Sequence, residues 1–213
     1  ATGGKGGKGN QHFSTSRIQT PRKSTPGKLG EKRILKLELK VIADVGLVGF
    51  PNAGKSTLLK TLTQANPKIA NYPFTTLHPN LGIFRRYEKE VVIADIPGII
   101  EGASEGVGLG NEFLRHISRT NVLLFLIEPN IEYIEETINA YHHLTNEINN
   151  YSKAILSEKT SIVALNKTDL LSTEDITIIE KSFQKINIKI SQISCFSRKG
   201  IEELEQRVIE NVT

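Results

Sequence analysis

The segment GFPNAGKS, Gly49 to Ser56, constrains this chain more than any other feature. It fits the pattern G-x-x-x-x-G-K-[ST], follows an apolar run and opens an amphipathic stretch, KSTLLKTLTQA. This is the strand, loop and helix context of a phosphate-binding loop. Glycines let backbone N–H groups converge on a phosphate, and the next helix presents its positive dipole end. We therefore expect Lys55 to contact the outer phosphates of a nucleotide and the Ser56 hydroxyl to ligate Mg²⁺.

A second motif, DIPG at Asp95 to Gly98, ends the apolar run VVIADI. A carboxylate that leaves a buried strand beside a phosphate loop can hold a magnesium-bound water, and the Gly98 amide can reach a terminal phosphate. Glycine also lets such a loop change shape with the phosphate state. Its order after the phosphate loop favours this interpretation over a plain strand-ending turn.

The motif NKTD, Asn166 to Asp169, follows the apolar run SIVAL and indicates which base is bound. An ionised Asp169 can accept hydrogen bonds from N1–H and the N2 amino group of guanine, and adenine offers neither donor there. We expect the stem of Lys167 to cover the base and Asn166 to join the loops. After the last predicted strand, SCF at Ser194 to Phe196 offers backbone amides to guanine O6.

Between the first two motifs lies NYPFTTLHPN, residues 71–80. A threonine hydroxyl here could ligate Mg²⁺ and order the segment only when the terminal phosphate is present. Thr75 and Thr76 both fit, and spacing does not choose between them. A surface loop without this role is the alternative interpretation.

Apolar runs alternate with amphipathic stretches through most of the chain. Strands are predicted at 35–41, 45–48, 81–84, 91–96, 122–127, 161–165 and 189–193, and helices near 55–65, 110–119, 131–150, 173–183 and 200–210. Alternation at this spacing predicts an α/β fold, a P-loop domain with a mostly parallel sheet and helices on both faces.

Residues 1–36 differ from the rest in composition. They hold seven of the 17 glycines and nine Lys or Arg against one acidic residue, Glu31, whereas the remainder carries a net charge of −4. Such a segment has little apolar surface to bury, so it is a flexible linker or the edge of a further domain. Its positive charge suggests a polyanionic partner, RNA first, and a solvated tail is the alternative.

Several classes are excluded by simple counts. The longest unbroken apolar run, Val122 to Ile127, is far too short for a transmembrane helix. Because the first residues printed are Gly and Lys with no apolar block, we also expect no signal peptide. One cysteine, Cys195, excludes an internal disulfide and fits a reducing compartment. We expect Cys195 to serve as a small residue against the base. Because the chain starts at Ala1 and has no Met, we expect a fragment or a processed product.

Taken in order, the phosphate loop, DxxG, NKxD and SCF are the signature of a GTPase domain, and the chain resembles the Obg family of ribosome-associated GTPases. The likeness is carried by GGKGGKGN, LELKVIADVGLVGFPNAGKSTLL, PKIANYPFTTL, ADIPGIIEGASEGVGLGNEFLRHI and NKTDLL. It implies that residues 1–36 end a glycine-rich Obg domain, that residues 37–213 form the GTPase domain, and that Thr76 is the magnesium ligand.

The residues after Gly98 are Ile99 and Ile100, where many small GTPases place a glutamine that orients the attacking water. Isoleucine cannot hydrogen-bond to water, so we expect slow intrinsic turnover that the ribosome boosts. In similar GTPases an asparagine of the phosphate loop coordinates K⁺, and Asn52 stands at that place. A purely structural role for Asn52 in the loop turn is equally open.

Two functions compete at this point. The resemblance implies a Mg²⁺-dependent GTPase, binding GTP and GDP, that acts as a switch in large ribosomal subunit assembly, with ribosomal RNA as a partner. The alternative is a non-enzymatic RNA- or ribosome-binding module with nucleotide as a structural ligand. An ATP-specific site is disfavoured by NKTD. We further expect a monomer in the bacterial cytoplasm, with a mitochondrial location as the alternative, and no DNA partner.

The predicted catalytic residues are Lys55, Thr76, Asp95 and Gly98, and the predicted metal ligands are Ser56 and Thr76. The predicted nucleotide contacts are Gly49, Phe50, Pro51, Asn52, Ala53, Gly54, Lys55, Ser56, Thr57, Phe74, Thr75, Thr76, Asp95, Ile96, Pro97, Gly98, Asn166, Lys167, Asp169, Ser194, Cys195 and Phe196.

Overall fold

The structure, a computed structural model, describes residues 1–35, 43–63, 68–69, 80–95 and 117–212, with the backbone alone at residues 68, 69 and 151. The chain divides into two compact units, Ala1–Leu39 and Lys40–Thr213. The boundary expected from the sequence lies after residue 36, and it stays a prediction. Among the described residues, no helix is long and apolar enough to cross a bilayer.

The larger unit is built on one seven-stranded sheet. Its strands are β1 Ala43–Val48, β2 Lys68–Ile69, β3 Asn80–Arg86, β4 Lys89–Asp95, β5 Thr120–Ile127, β6 Thr160–Leu165 and β7 Ile190–Gln192. They lie in the order β2-β3-β4-β1-β5-β6-β7, and the five strands from β4 to β7 run parallel. β3 is antiparallel to β4, and β2 is antiparallel to β3.

Five described helices cover the two faces of this sheet. They are α1 Lys55–Thr63, α2 Thr137–Tyr151, α3 Lys153–Glu158, α4 Thr173–Gln184 and α5 Ile201–Val212. The apolar residues of α2, α3 and α4 pack in one cluster and those of α1 and α5 in another. α4 begins with a capping box, in which Ser172 and Asp175 each accept the other's backbone N–H.

β5 shows why the central strands read as unbroken apolar runs. Leu123, Phe125 and Ile127 belong to the cluster under α2 and α4, whereas the alternate residues belong to the cluster under α1 and α5. A parallel strand covered by helices on both faces has no solvent-facing side, so every position from Val122 to Ile127 is apolar. The predicted fold class, a P-loop GTPase domain with helices on both faces of a mostly parallel sheet, is confirmed.

The predicted element bounds differ from the structure in a few places. The two-residue strand β2 was not expected, because two residues carry no periodicity. The helix expected at 131–150 begins later, with α2, after a 3₁₀ turn at Ile134–Glu136. Ser152 then adopts extended backbone and separates the unexpected helix α3 from α2. The strand expected at 35–41 and the helix expected at 110–119 lie largely outside the described residues.

The smaller unit is a pair of extended segments. Backbone N–H groups of Thr25, Lys28 and Glu31 donate to the carbonyls of Lys8, Lys5 and Thr2, one bond every third residue. A three-residue period is that of the polyproline II helix, and Gly9 and Ser14, both at φ −70°, have the φ of that region. Side-chain atoms at Gly4 or Gly7 would overlap the backbone of the opposite segment.

This pairing favours the edge of a domain over a freely flexible linker. Its bonds join residues far apart in sequence, and glycine at every third position lets the two backbones touch. The ammonium of Lys23 lies 5.6 Å from the centre of the Phe13 ring, which adds a cation–π contact within the unit.

Candidate nucleotide-binding site

The predicted motifs meet at one edge of the sheet. The phosphate loop follows β1, Asp95 ends β4, Asn166 follows β6 and Ser194 lies two residues after β7. The chain continues from β1 toward β2 and β3 on one side of the sheet and from β5 toward β6 on the other, which opens a crevice between the carboxyl ends of β1 and β5. Ligands of open α/β sheets bind in such crevices.

The backbone of the phosphate loop turns sharply before α1. Asn52 and Gly54 have positive φ angles of 64° and 97°, and the helix begins at Lys55. A side chain at Gly54 would overlap Nδ2 of Asn166, so glycine is required there by both conformation and space. The loop and the first turn of α1 line a cavity of about 400 Å³, together with Lys167.

Lys55 is folded back into the loop. Its Nζ donates to the carbonyl oxygens of Gly49 at 2.9 Å and Phe50 at 3.0 Å. Burial lowers the pKa of Lys55, and the negative charge of Asp95 acts in the opposite direction. The ammonium is therefore held partly desolvated among loop carbonyls, where a phosphate would be its strongest available partner.

Ser56 and Asp95 form an oxygen-rich pair beside this cavity. The Ser56 hydroxyl donates to Oδ2 of Asp95 over 2.6 Å, and Asp95 is only 4% exposed. A hydroxyl and a carboxylate are the hard oxygen donors that Mg²⁺ takes, usually with several waters retained. The chemistry of the pair therefore fits Mg²⁺. Ser56 would ligate the ion directly, and Asp95 would hold a water bound to the ion.

Asn166 joins three loops. Its side chain is buried, its Nδ2 donates to Ala53 O of the phosphate loop at 2.8 Å, and its Oδ1 accepts the Cys195 N–H at 3.2 Å. The amide is therefore used on both sides, and loss of either bond would leave a buried polar group without a partner. Asn166 therefore ties the loop after β1 to the loop after β7.

The base end of the crevice is a second cavity of about 300 Å³. It is lined by Asn52, Gly54, Thr57, Asn166, Lys167, Asp169, Leu170, Cys195 and Phe196. Asp169 lies exposed in a 3₁₀ turn, Thr168–Leu170. The buried Thr168 anchors this turn, because its hydroxyl and its N–H both donate to the carbonyl of Ile193.

Apolar side chains form the rim of this cavity. Phe196 is 91% exposed and Leu170 is 56% exposed, which is unusual for groups of this size on a well-packed domain. Sequence reasoning did not select Leu170. The string NKTDLL contained it, and its place directly after Asp169 was the signal available.

The SCF loop is held by its own backbone. Ser194 is fully buried, its N–H donates to Lys199 O, and its Oγ accepts the Ser197 N–H. The N–H groups of Ser194 and Cys195 are already used in hydrogen bonds to Lys199 and Asn166. Of the SCF amides that we expect to face guanine O6, that of Phe196 is therefore the remaining candidate.

Cys195 stays a protonated thiol at neutral pH. Burial raises its pKa to about 11, which the Asn166 hydrogen bond opposes and the charge of Asp169 reinforces. A thiol in this state is a small apolar group and a poor nucleophile.

Some predicted site residues lie outside the described residues. These are Phe74, Thr75, Thr76, Ile96, Pro97 and Gly98, together with Ile99 and Ile100. Their assigned roles stay predictions. Glu128 is a described residue that the sequence reasoning did not select, although it directly follows the apolar strand β5.

Comparison with known proteins adds the family. A model described as 50S ribosome-binding GTPase matches residues 44–167, and one described as GTP1/OBG matches residues 1–41. GTPase Obg of Pelagibacter ubique is 48% identical over 214 residues, which covers all of this chain and 64% of that protein. The chain belongs to the Obg family of GTPases.

Other Obg relatives agree with this membership. GTPase Obg of Brachyspira hyodysenteriae is 55% identical over 87% of this chain and 27% of its own length. GTPase Obg of Aquifex aeolicus is 50% identical over 97% of this chain and 60% of its own length. The chain thus spans less than two thirds of each of these Obg proteins.

Solved structures share the fold of this Obg-family chain. The structure of a point variant of Aquifex aeolicus Era bound to GDP and AlF₄⁻ has a TM-score of 0.59 at 24% identity, covering 79% of this chain and 56% of that one. The cytosolic domain of the Thermotoga maritima FeoB iron transporter in a GDP form has a TM-score of 0.55 at 21% identity, covering 81% and 64%. At this identity the likeness concerns the fold alone.

Proposed function

We propose that this chain binds GTP and GDP and hydrolyses GTP with Mg²⁺, as a switch in assembly of the large ribosomal subunit. The observation that carries the proposal is the meeting of three loops and the end of β4 at one sheet edge. They place Lys55 and the Ser56–Asp95 pair at one end of the crevice and Asp169 at the other.

The phosphate end supplies charge and metal ligands. Lys55 neutralises the outer phosphates and exchanges its loop carbonyls for phosphate oxygens. Ser56 and Thr76 would hold Mg²⁺, with Asp95 bound through a water, and the Gly98 amide would contact the terminal phosphate. The ion, when bound, neutralises charge that develops on the phosphate oxygens during transfer.

The base end selects guanine. Asp169 accepts two hydrogen bonds from the base, and a purine without those donors leaves its carboxylate unpaired. The cavity walls supply cover on both sides, with the Lys167 stem and the exposed Phe196 ring. The other predicted contacts, from Gly49 to Thr57 and from Ser194 to Phe196, supply the backbone of the two loops.

Orientation of the attacking water is the weak step of this site. Ile99 and Ile100 offer no hydrogen bond to water, so unassisted turnover is expected near 10⁻⁴ per second, the order seen for small GTPases without a partner. Asn52 reaches both cavities and would ligate K⁺, which could add positive charge at the phosphates. Its φ of 64° is a conformation that asparagine tolerates well, so the loop turn alone also explains this residue.

The ribosomal part of the proposal rests on the family description and on the smaller unit. Glu31, the one acidic residue among residues 1–36, accepts hydrogen bonds from Arg33 and from both the N–H and the hydroxyl of Thr2, which lower its pKa. The remaining charge on this glycine-rich pair is positive, as a phosphate backbone requires. We place the activity in the bacterial cytoplasm because the matched relatives are bacterial.

Titration with GDP, GTP and ATP in Mg²⁺ tests the first half of the proposal. We expect both guanine nucleotides to bind and ATP to bind at least about four orders of magnitude more weakly. ATP held as tightly as GTP would overturn the base assignment.

Multiple-turnover phosphate release, with and without large ribosomal subunits, tests the second half. We expect stimulation by the particles. Tight nucleotide binding with no release under either condition would favour the non-enzymatic RNA-binding alternative. Equal rates in K⁺ and Na⁺ at fixed ionic strength would remove Asn52 from the proposed cation role.

A further inference from the structure

Glu128 stands at the same sheet edge as the base-binding loop. β5 and β6 are paired so that Ile127 lies opposite Leu165, and the Asn166 N–H donates to the Ile127 carbonyl at 2.9 Å. Glu128, which follows β5, and Asn166, which follows β6, therefore leave the sheet side by side. This register places Glu128 within reach of Lys167, 39 positions further along the chain.

The two side chains form an ion pair. Nζ of Lys167 lies 2.5 Å from Oε1 of Glu128, and the side chains are 33% and 39% exposed. Pairs this accessible to water contribute little to folding stability. A contribution to the fold therefore does not account for the position of this carboxylate.

Lys167 is the one residue of the NKTD loop that lines both parts of the crevice, the base cavity and the phosphate cavity. Its backbone is left-handed, at φ 58° and ψ 32°, between the buried and hydrogen-bonded Asn166 and Thr168. The backbone is thus fixed on both sides, while the long side chain keeps its rotamer freedom unless something holds its end.

We propose that Glu128 is a positioning residue for the nucleotide: it holds the Lys167 ammonium so that the aliphatic stem covers the purine before the ligand arrives. This inference rests on the proposed nucleotide-binding function and goes beyond it by assigning a residue outside the four motifs. Glu128 acts through Lys167 and touches no part of the ligand.

The expected effect follows from the cost of fixing one long side chain. Without Glu128, that cost falls on nucleotide binding, which weakens affinity by about two- to tenfold. The stem packs against the face of the ring, which is common to all purines. Removal of Glu128 should therefore lower the affinity for GDP and for inosine diphosphate by the same factor, although inosine diphosphate lacks the 2-amino group that Asp169 would recognise.

A double-mutant cycle tests the assignment. The affinities of GDP and inosine diphosphate are measured by calorimetry for Glu128→Gln, Lys167→Met and the double variant. We expect the single Glu128 variant to lose the stated factor for both nucleotides, and the double variant to bind no more weakly than Lys167→Met alone.

Glu205→Gln is the matched control. Glu205 pairs with Arg86 in the same unit, with 2.6 Å between Oε2 and Nη1, and neither residue lines a nucleotide cavity. The affinities of this variant for GDP and inosine diphosphate should therefore equal those of the parent chain. Melting temperatures of both glutamine variants show whether any loss comes from unfolding instead.

Three outcomes overturn the assignment: unchanged affinity in Glu128→Gln, additive losses in the double variant, or a loss confined to GDP. Additive losses would mean that Glu128 contacts the ligand itself. If the parent chain binds neither nucleotide, the proposed function fails with it, and that result is distinct from any of these three.

Discussion

The two units of this chain use glycine in different ways. In the phosphate loop, Gly54 adopts a positive φ and leaves room for Asn166, so a side chain can grip a neighbouring loop. In the smaller unit, Gly4 and Gly7 leave room for a backbone, and main-chain hydrogen bonds hold the pair. The first arrangement joins two loops at the edge of a buried sheet through a side chain. The second joins two backbones through main-chain hydrogen bonds, with few apolar residues.

Asp169→Asn gives the largest effect that we expect, because it removes a charged acceptor for two guanine donors. Loss of two charge-assisted hydrogen bonds should weaken GDP by about 10²- to 10⁴-fold and shift preference toward xanthosine diphosphate. Calorimetric titration of the variant with both nucleotides checks this. A variant that kept its full preference for GDP would show that the larger unit does not read the base with this side chain.

Gly7→Ala tests the smaller unit in the same terms. A side chain here would overlap the Thr25 carbonyl, whereas the space beside Gly6 is open. We expect Gly7→Ala to raise local opening by about 30- to 1000-fold, the size of a backbone clash of about 2–4 kcal/mol. Hydrogen exchange of the Thr25 N–H, which donates to Lys8 O at 3.0 Å, reports this opening.

Gly6→Ala is the control for that prediction. It should be neutral or slightly stabilising, because alanine restricts the unfolded chain without meeting an obstacle. Equal exchange rates in the two alanine variants would mean that close packing of the two backbones is not what holds this unit together.

The reactivity of Cys195 can be compared between the native protein, where the residue is half-buried, and the unfolded chain. Its pKa of about 11 is two units above the ordinary 9, so at pH 8 its thiolate population is lower by about 100-fold. Alkylation by iodoacetamide should be slower by about that factor in the native protein than in urea.

The same shift has a consequence for stability. Because the folded pKa is raised, the thiol's contribution is complete below pH 9 and is lost as pH rises through about 11. Native and unfolded alkylation rates that agreed across this range would contradict the protonated-thiol assignment.

Features formed by neighbouring residues could be predicted from the sequence, and features that depend on residues far apart in sequence could not. The P-loop, the NKTD loop and the four longest parallel strands, β1, β4, β5 and β6, are recognisable in contiguous residues, since buried parallel strands are largely apolar runs. β2 has only two residues and is a strand only because it pairs with β3, so no local sequence pattern could predict it. The ion pair between Glu128 and Lys167 depends on the register of two strands, which a linear sequence does not display.

The smaller unit did carry a readable signal. Glycines recur every third residue at Gly4 and Gly7 and again at Gly27 and Gly30, the spacing that a polyproline II pair requires. Composition alone indicated low apolar content and suggested a linker or a domain edge. Periodicity of three, rather than of two or 3.6, was the pattern to search for.

Phe196 gives a smaller expected effect than Asp169, Gly7 or Cys195, and its position allows a direct optical measurement. Its ring is 91% exposed on a loop fixed by the Ser194–Lys199 and Ser194–Ser197 hydrogen bonds, at the rim of the base cavity. If the ring stacks on the base, Phe196→Ala should lower the affinity for GDP and for GTP alike by about tenfold. Because the chain has no tryptophan, Phe196→Trp introduces a single tryptophan, whose emission is excited selectively over that of tyrosine and should be quenched by guanine on binding.

Tyr133→Trp, equally new as a fluorophore, is 61% exposed on the loop after β5 and lines neither nucleotide cavity, so its emission should not respond to GDP. A response at position 133 as large as that at 196 would mean that the signal reports a general change in the unit. No response at 196 under saturating GDP would mean that the exposed ring lies away from the base. In that case the larger unit would grip the purine from one face only, through Lys167. The loss measured for Glu128→Gln should then rise toward the upper end of its range, because no second surface would share the cost of holding the base.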